Sequence, residues 1–377
     1  MLGREDRSDE NDRAGWQLRP VAQSAEGARP ISAEIASIPR VGSGEMTTAS
    51  GKRPIPSFAR GLLFSEHLLL LLIALYLVIA IPLIPGLLSG RNIRSIISNL
   101  LPLLVVCIGQ GFVLITGGID LSVTSVFAGS SVVAGLIMIE SNIAHSPLAV
   151  VLGVMAMTGV GLAIGLMNGV SITALRMPPF IVTLSTMTFI GGVAVWTTKS
   201  QNLYGLPSSF VAIGKGSLFS VSYALVIAVA LAMIAHLVLS RTVLGRSLYS
   251  VGQNAKAAAI SGVSVNRTII CAYLFSSTYA ALATIILMGR LETSSPILGQ
   301  KLLLDIIAAP VIGGVSLFGG RGKVLGIVFG CLFIDLMDNG LNLVGLSFFA
   351  IMMAKGGLIL LAALLDVFRV ASRRVAQ

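Results

Sequence analysis

Charge is the first thing this chain has little of. Only 11% of its 377 residues are Asp, Glu, Lys or Arg, whereas 55% are hydrophobic, and the mean hydropathy is +0.92. So few charges do not cover a water-facing surface of this size, so lipid covers most of it. Cysteine is equally sparse. Cys107, Cys271 and Cys331 lie far apart, each inside an apolar run, which excludes a disulfide framework and fits buried small hydrophobes. His67, His145 and His236 form no ligand spacing with them, so no metal site is expected. A P-loop is missing too: the nearest string, GGRGKV, has Val324 after the lysine and Leu317 where the first glycine belongs, so ATP is not bound here by that device. The loops hold no Ser-His-acid set and no paired carboxylates. An enzyme is not expected, and the chain itself calls for no cofactor.

The formal net charge of +10 raises the question of nucleic acid. Residues 1–60 hold nine Lys/Arg against eight Asp/Glu, and residues 61–377 hold seventeen against eight. No basic patch is interleaved with aromatics as in single-strand binders, so no nucleic-acid partner is expected; the surplus belongs to cytoplasmic loops. Residues 1–60 are polar and charge-mixed, and disorder is expected there. The long charged lead does not fit a secretory signal. Two readings of this tail stand: a genuine regulatory segment, or a wrongly assigned start, with Met46 the alternative because Lys52, Arg53 and Arg60 directly precede the first span.

From residue 67 one unit repeats, an apolar run of bilayer-crossing length followed by a short polar break. The reading is an all-α, polytopic membrane domain over 61–377 with about ten spans: 67–84, 95–116, 121–139, 147–170, 180–198, 218–239, 268–289, 302–318, 323–340 and 348–368. With the N-terminus inside, ten Lys/Arg fall in inner loops and six in outer ones, which favours N-in, C-in. Gly161, Gly165 and Gly169, and again Gly322, Gly326 and Gly330, form ridges that let helices approach closely.

Three polar features interrupt this pattern. The first is a basic island at 241–267 between two spans. Asn254 is placed to cap a short helix over Ala255–Ser261, and Gly262 to end it. A solvated connecting loop and an alanine-faced helix built for a groove on another protein are both open readings. The second is ITGGIDLSVTSVFAGSS, residues 115–131, where Gly117 and Gly118 end one span and Asp120 opens the next. A capped hairpin and a broken helix beside a solute path account for it equally. The polar residues Gln110, Thr116, Asp120, Ser122 and Asn168 are the candidates for such a path. The third is Lys355, inside the last span. An unpaired ammonium in hydrocarbon costs about 2.5–3.5 kcal/mol, so it is expected to pair with Asp305, Asp335 or Asp338, with Asp335 favoured as the deepest, or to snorkel to the headgroups.

Several strings resemble the permeases of ATP-binding-cassette sugar importers of the ribose/xylose type, within the branched-chain amino acid/sugar permease superfamily. In the basic island these are Gly245–Arg246, Tyr249, Gly252 with Asn254, Ala257–Ala258 and Ser261–Gly262–Val263. Elsewhere they are T-GG-IDLS-S at Thr116–Ser125, Asn168–Gly169 with the PPFIVTL run from Pro178, DIIAA from Asp305, VIGGVSLFGGRG from Val311, NGLNL from Asn339, and Lys355–Gly356. Gln253, Ala255 and Pro310 depart from the pattern. The resemblance covers about residues 67–368. It implies a type II importer-like bundle in a bacterial inner membrane, with a second permease copy completing the pathway. It also implies a separate ATPase that binds the ATP and an extracytoplasmic solute-binding protein. Gly245, Arg246, Gly252, Asn254, Ala257, Ala258, Ser261 and Gly262 would couple to the ATPase. The implied cargo is a monosaccharide, with a polyol, nucleoside or autoinducer-type solute as alternatives. A secondary transporter is the other mechanism, but the middle of the spans is nearly free of the ionisable residues that an ion relay needs.

Overall fold

In lipid, a run of apolar residues has no polar partner for its backbone except itself, and helices result. The computed structural model describes residues 67–374 and is mostly helical; the tail, including Met46, lies outside the described residues. The helices are α1 (His67–Leu83), α2 (Gly90–Ile115), α3 (Val123–Gly135, prolonged by a π turn Leu136–Glu140), α4 (Pro147–Thr173) and α5 (Pro179–Thr197). They continue as α6 (Ser208–Lys215), α7 (Tyr223–Arg241), α8 (Val243–Gln253), α9 (Ala255–Ile260), α10 (Val265–Leu291), α11 (Leu303–Ile312), α12 (Val324–Leu343) and α13 (Phe348–Arg374). Seven of them, α2, α3 with its extension, α4, α5, α7, α10 and α12, are long and apolar enough to cross a membrane. Shorter apolar stretches run through α1 and α13.

Local chemistry sets the starts. Ser89 caps α2 through the Asn92 N–H at 3.3 Å, and Ser146 caps α4 through the Ala149 N–H at 3.1 Å, with Pro147 in the first turn. Two small antiparallel pairs close the loops. One joins β1 (Leu203–Tyr204) to β4 (Thr293–Ser294), and the other joins β2 (Ser217–Leu218) to β3 (Val221–Ser222). The second pair occupies the predicted beginning of the sixth span, so that span starts at Tyr223 instead of 218.

The expected eighth span, 302–318, is the main correction to the topology. Its helix, α11, has only ten residues and stops at Ile312. Pro310 removes one helical donor, and the two residues after Ile312 are Gly313 and Gly314, the latter at φ +89°. Residues 313–323 then run as an irregular segment up to α12. Gly322, expected on a glycine ridge of the ninth span, belongs to this segment at φ +153°.

Helices α2 and α10 form the centre, with α3 and α4 against them. The ridge Gly161, Gly165, Gly169 of α4 packs against α10. A methyl group at these positions would come within 2.6 Å of the Ser277 carbonyl, 2.7 Å of the Tyr273 carbonyl and 2.8 Å of the Ile270 Cα. Gly326 and Gly330 press in the same way on the Gly313 and Ala309 carbonyls, which brings α12 onto α11. The outer faces of α4, α5 and α7 carry exposed large apolar residues such as Met155, Phe189 and Met233; these are surfaces for lipid or for another copy. Gly165→Leu should lower the melting temperature of the detergent-purified protein, with a cost of about 1–3 kcal/mol for overpacking. An unchanged melting temperature would show that α4 and α10 separate freely.

Candidate functional site

Two helices break, one after α2 and one after α11, and both breaks have the same backbone chemistry. After α2, Gly117 N–H donates to the Leu114 carbonyl and Gly118 N–H to the Val113 carbonyl, with Gly117 at φ +80°. After α11, Gly314 N–H donates to the Val311 carbonyl and Val315 N–H to the Pro310 carbonyl. Both are Schellman-type ends that use a left-handed glycine. The GG-[IV]-x-L strings at 117–121 and 313–317 thus mark similar bends, but the left-handed glycine is the first of the pair in one and the second in the other.

The bends are joined to each other and to the basic island. Gly320 N–H donates to the Ile115 carbonyl at 2.8 Å. Gly252, in the last turn of α8, lies so close that a methyl group there would collide with the Ile115 carbonyl and the Gly320 amide. Tyr249 Oη donates to the Gly322 carbonyl at 2.7 Å, and its burial pushes the phenol above its usual pKa, which keeps it a neutral donor. Three segments far apart in sequence therefore meet backbone to backbone at one end of the bundle.

Beyond Gly252 the island is exposed. Asn254 Oδ1 accepts from the Lys256 and Ala257 N–H groups at 3.1 and 3.0 Å, and α9 ends at Ser261 with Gly262 at φ +83°. Of the residues predicted to couple, Arg246, Asn254, Ala257, Ser261 and Gly262 face outward. Gly245 and Ala258 are buried against their own chain instead; Gly245 is there because a methyl group would strike the Leu239 and Val238 carbonyls. Sequence reasoning missed Ile260, which is 88% exposed at the tip of α9. The signal was present: an isoleucine directly after the three alanines 257–259.

The polar residues proposed for a path close on one another. Asp120 Oδ1 accepts from Ser122 N–H at 2.9 Å and Ser122 Oγ at 2.6 Å, and Oδ2 accepts from Ser276 Oγ at 2.8 Å. Asn168 Nδ2 donates to Ser122 Oγ at 2.8 Å, and Asn168 Oδ1 accepts from Thr186 Oγ1 at 2.7 Å. The Gln110 amide, oriented to suit, meets the Asp120 backbone N–H and carbonyl at 3.2 Å each. Thr116 Oγ1 donates to the Val113 carbonyl at 2.7 Å. Gln110, Asp120, Ser122 and Asn168 are completely buried. In this conformation the network ties the first bend to α4, α5 and α10, and none of the five residues lines the cavity at the opposite end of the bundle.

That cavity, of about 460 Å³, lies between α2, α10, α11 and α12 and is lined by Asn99, Arg290, Asp305, Asp335, Asp338 and Asn342 among others. Lys355 from α13 reaches Asp305 Oδ2 at 2.9 Å and also pairs with Asp338 Oδ2. The pairing with Asp335 favoured from sequence is therefore corrected. Asp335 is one turn before Asp338 on α12 and faces the cavity beside Arg290. Arg290 folds back onto α2, donating to the Ser98 carbonyl at 2.9 Å and to Asn99 Oδ1. At the other end of α13, Asp366 Oδ2 accepts from Ser316 Oγ at 3.1 Å and the Leu317 N–H at 3.0 Å.

A helical bundle whose broken helices are sealed on each other and on a polar loop, with a polar cavity opposite, defines a solute permease that crosses the membrane several times. The chain belongs to the family described as the branched-chain amino acid transport system / permease component, whose model matches residues 92–365. It is 38% identical over 285 residues to the ribose import permease protein RbsC of Bacillus subtilis, covering 75% of this chain and 86% of that one. It is 34% identical over 324 residues to RbsC of Escherichia coli K12 (85% and 98%), and 30% identical over 279 residues to the D-allose transport system permease protein AlsC of the same strain (74% and 84%). No solved structure matches it.

The ion-pair geometry predicts a pattern of coupling. Lys355→Met and Asp305→Asn should each destabilise the purified protein, because removing one partner of a buried pair costs about 3–5 kcal/mol. The double variant should recover part of that loss, whereas Lys355→Met with Asp335→Asn should be close to additive. Thermal melts of the parent, the three single variants (Asp335→Asn included) and the two double variants decide it, and strict additivity with Asp305 would refute the pair.

Proposed function

We propose that this chain is the membrane-spanning permease subunit of an ATP-driven importer for a monosaccharide. Two copies form the pathway, with both termini inside. A separate ATPase binds ATP and docks on the 241–267 loop, and a solute-binding protein delivers the sugar from outside. Family membership and the ribose and allose permeases among the relatives support this reading. The observation that carries it is the capped, exposed helix α9, whose stem at Gly252 is packed directly on both helix breaks. A pull on α9 reaches the two bends through backbone contacts, with no flexible side chain between.

In this reading the exposed and buried residues of the loop have different tasks. Ile260, with Ala257 and Ser261 beside it, offers the ATPase an apolar point on a small-residue surface. Gly252 passes the movement on. Ile260→Asp should therefore abolish co-purification with the ATPase and sugar uptake while membrane insertion stays normal. Gly252→Val should retain the ATPase but lose most uptake, because its side chain collides with the Ile115 carbonyl and the Gly320 amide. Pull-down and uptake in cells expressing the complete transporter test both. Normal uptake in the Ile260 variant would overturn docking at α9, and normal uptake in the Gly252 variant would overturn the mechanical link.

A further inference from the structure

Between α6 and α7 the chain makes a hairpin whose geometry and side chains are at odds with water. Leu218 of β2 pairs with Val221 of β3, so Phe219 and Ser220 form a two-residue turn. Both are left-handed, at φ +49° and +66°. Turns of this kind ordinarily hold Asn and Gly, because a bulky side chain is strained there. Here the first position carries a phenyl ring, and Phe219 is 92% exposed. Leu218, Val221 and Tyr223 beside it are exposed as well. A single exposed apolar residue means little, but a contiguous patch marks a surface that is covered in use.

We propose that this hairpin is a membrane anchor, with Phe219 and Leu218 inserted among lipid headgroups and upper acyl chains at the end of the bundle opposite the coupling loop. Three observations favour lipid as the occupant. The first is continuity. Tyr223, Val226, Val229 and Met233 lie at helical spacing along one exposed face of α7, so the patch runs without a break onto a helix long and apolar enough to cross a membrane. The second is level. The 19 residues of α7 rise about 28 Å, against about 30 Å for a hydrocarbon core. The hairpin at its end therefore falls at the headgroup boundary and not far out in water. The third is company. Trp196 at the end of α5 and Tyr204 in β1 are also exposed at this end of the bundle, as in the aromatic belt of membrane proteins.

The hairpin is also fastened inward. Tyr223 N–H donates to the Gly216 carbonyl at 3.0 Å across its base, and a methyl group on Gly216 would strike the Tyr223 ring. Just before it, Gly214 packs so closely on α10 that a methyl group would collide with the Arg290 amide nitrogen, and Lys215 pairs with Glu292. An anchored hairpin thus holds the far end of α10 at a fixed depth in the bilayer.

Fluorescence quenching tests the anchor. Trp16→Phe and Trp196→Phe remove both native indoles, and Phe219→Trp then carries the only one. The full chain, with a melting temperature matching the parent's, is reconstituted in phosphatidylcholine vesicles with or without bromine on the upper acyl chain. Brominated lipid should reduce the emission by about twofold or more, as expected for a ring seated at the headgroup and acyl boundary. Leu218→Trp in the same background should behave alike, and it takes over if the turn does not accept Trp at 219. Emission that brominated lipid leaves unchanged overturns the anchor, and aqueous acrylamide then shows what covers the hairpin instead. Free quenching by acrylamide assigns it to water and to a soluble protein partner. Resistance to both quenchers assigns it to a second copy of the chain.

Discussion

Everything in this molecule depends on one constraint: within hydrocarbon, a backbone that leaves the helical path must find its hydrogen bonds inside the protein. The chain leaves that path twice, at 116–122 and at 313–323. Glycine makes both departures feasible, because the left-handed turn at Gly117 and Gly314 lets the helix ends satisfy their own carbonyls. It also lets the two bends touch. The bond from Gly320 to the Ile115 carbonyl and the bare backbone of Gly252 leave no room for a side chain or a water between the three segments. What solves the hydrogen-bonding problem thus also makes one end of the bundle a single mechanical unit.

The polar side chains have two fates. Around Asp120 every donor meets an acceptor: three hydrogen bonds reach its carboxylate, and Asn168 and Gln110 extend the network to α4 and α2. A fully satisfied buried network of this kind fixes one arrangement of the helices. At the opposite end the polar groups are left partly unsatisfied around an open volume. The contrast between the two sets cannot be read from residue type, since both are built on aspartate.

That contrast also explains what the sequence could and could not reveal. Span lengths, the Asn254 cap and the Gly262 stop follow from local rules, and the structure has α9 at Ala255–Ile260 with both in place. The shortened α11 was half visible: Pro310 and the following glycines were noted, but an apolar run through residue 318 disguised the break. Depth along the span favours Asp335 as the partner of Lys355, and depth is the wrong criterion. Direction around the helix decides instead: residues three apart point about 60° apart, and Asp338 is the one of the two that Lys355 reaches. Ser276 and Thr186 were missed because a hydroxyl in an apolar span carries no periodic signal; only the fold shows that they point at Asp120 and Asn168.

The fastening of α13 completes the physical picture. Lys355 holds it to α11 and α12 at one level, and Asp366, eleven residues further on, holds it to the second bend at another. Eleven residues of helix rise about 16 Å, so one rigid rod connects the cavity wall to the bend that Gly252 touches. On the proposed reading, a displacement of the coupling loop that moves Ser316 and Leu317 also moves Lys355, and with it the two carboxylates that Lys355 orients.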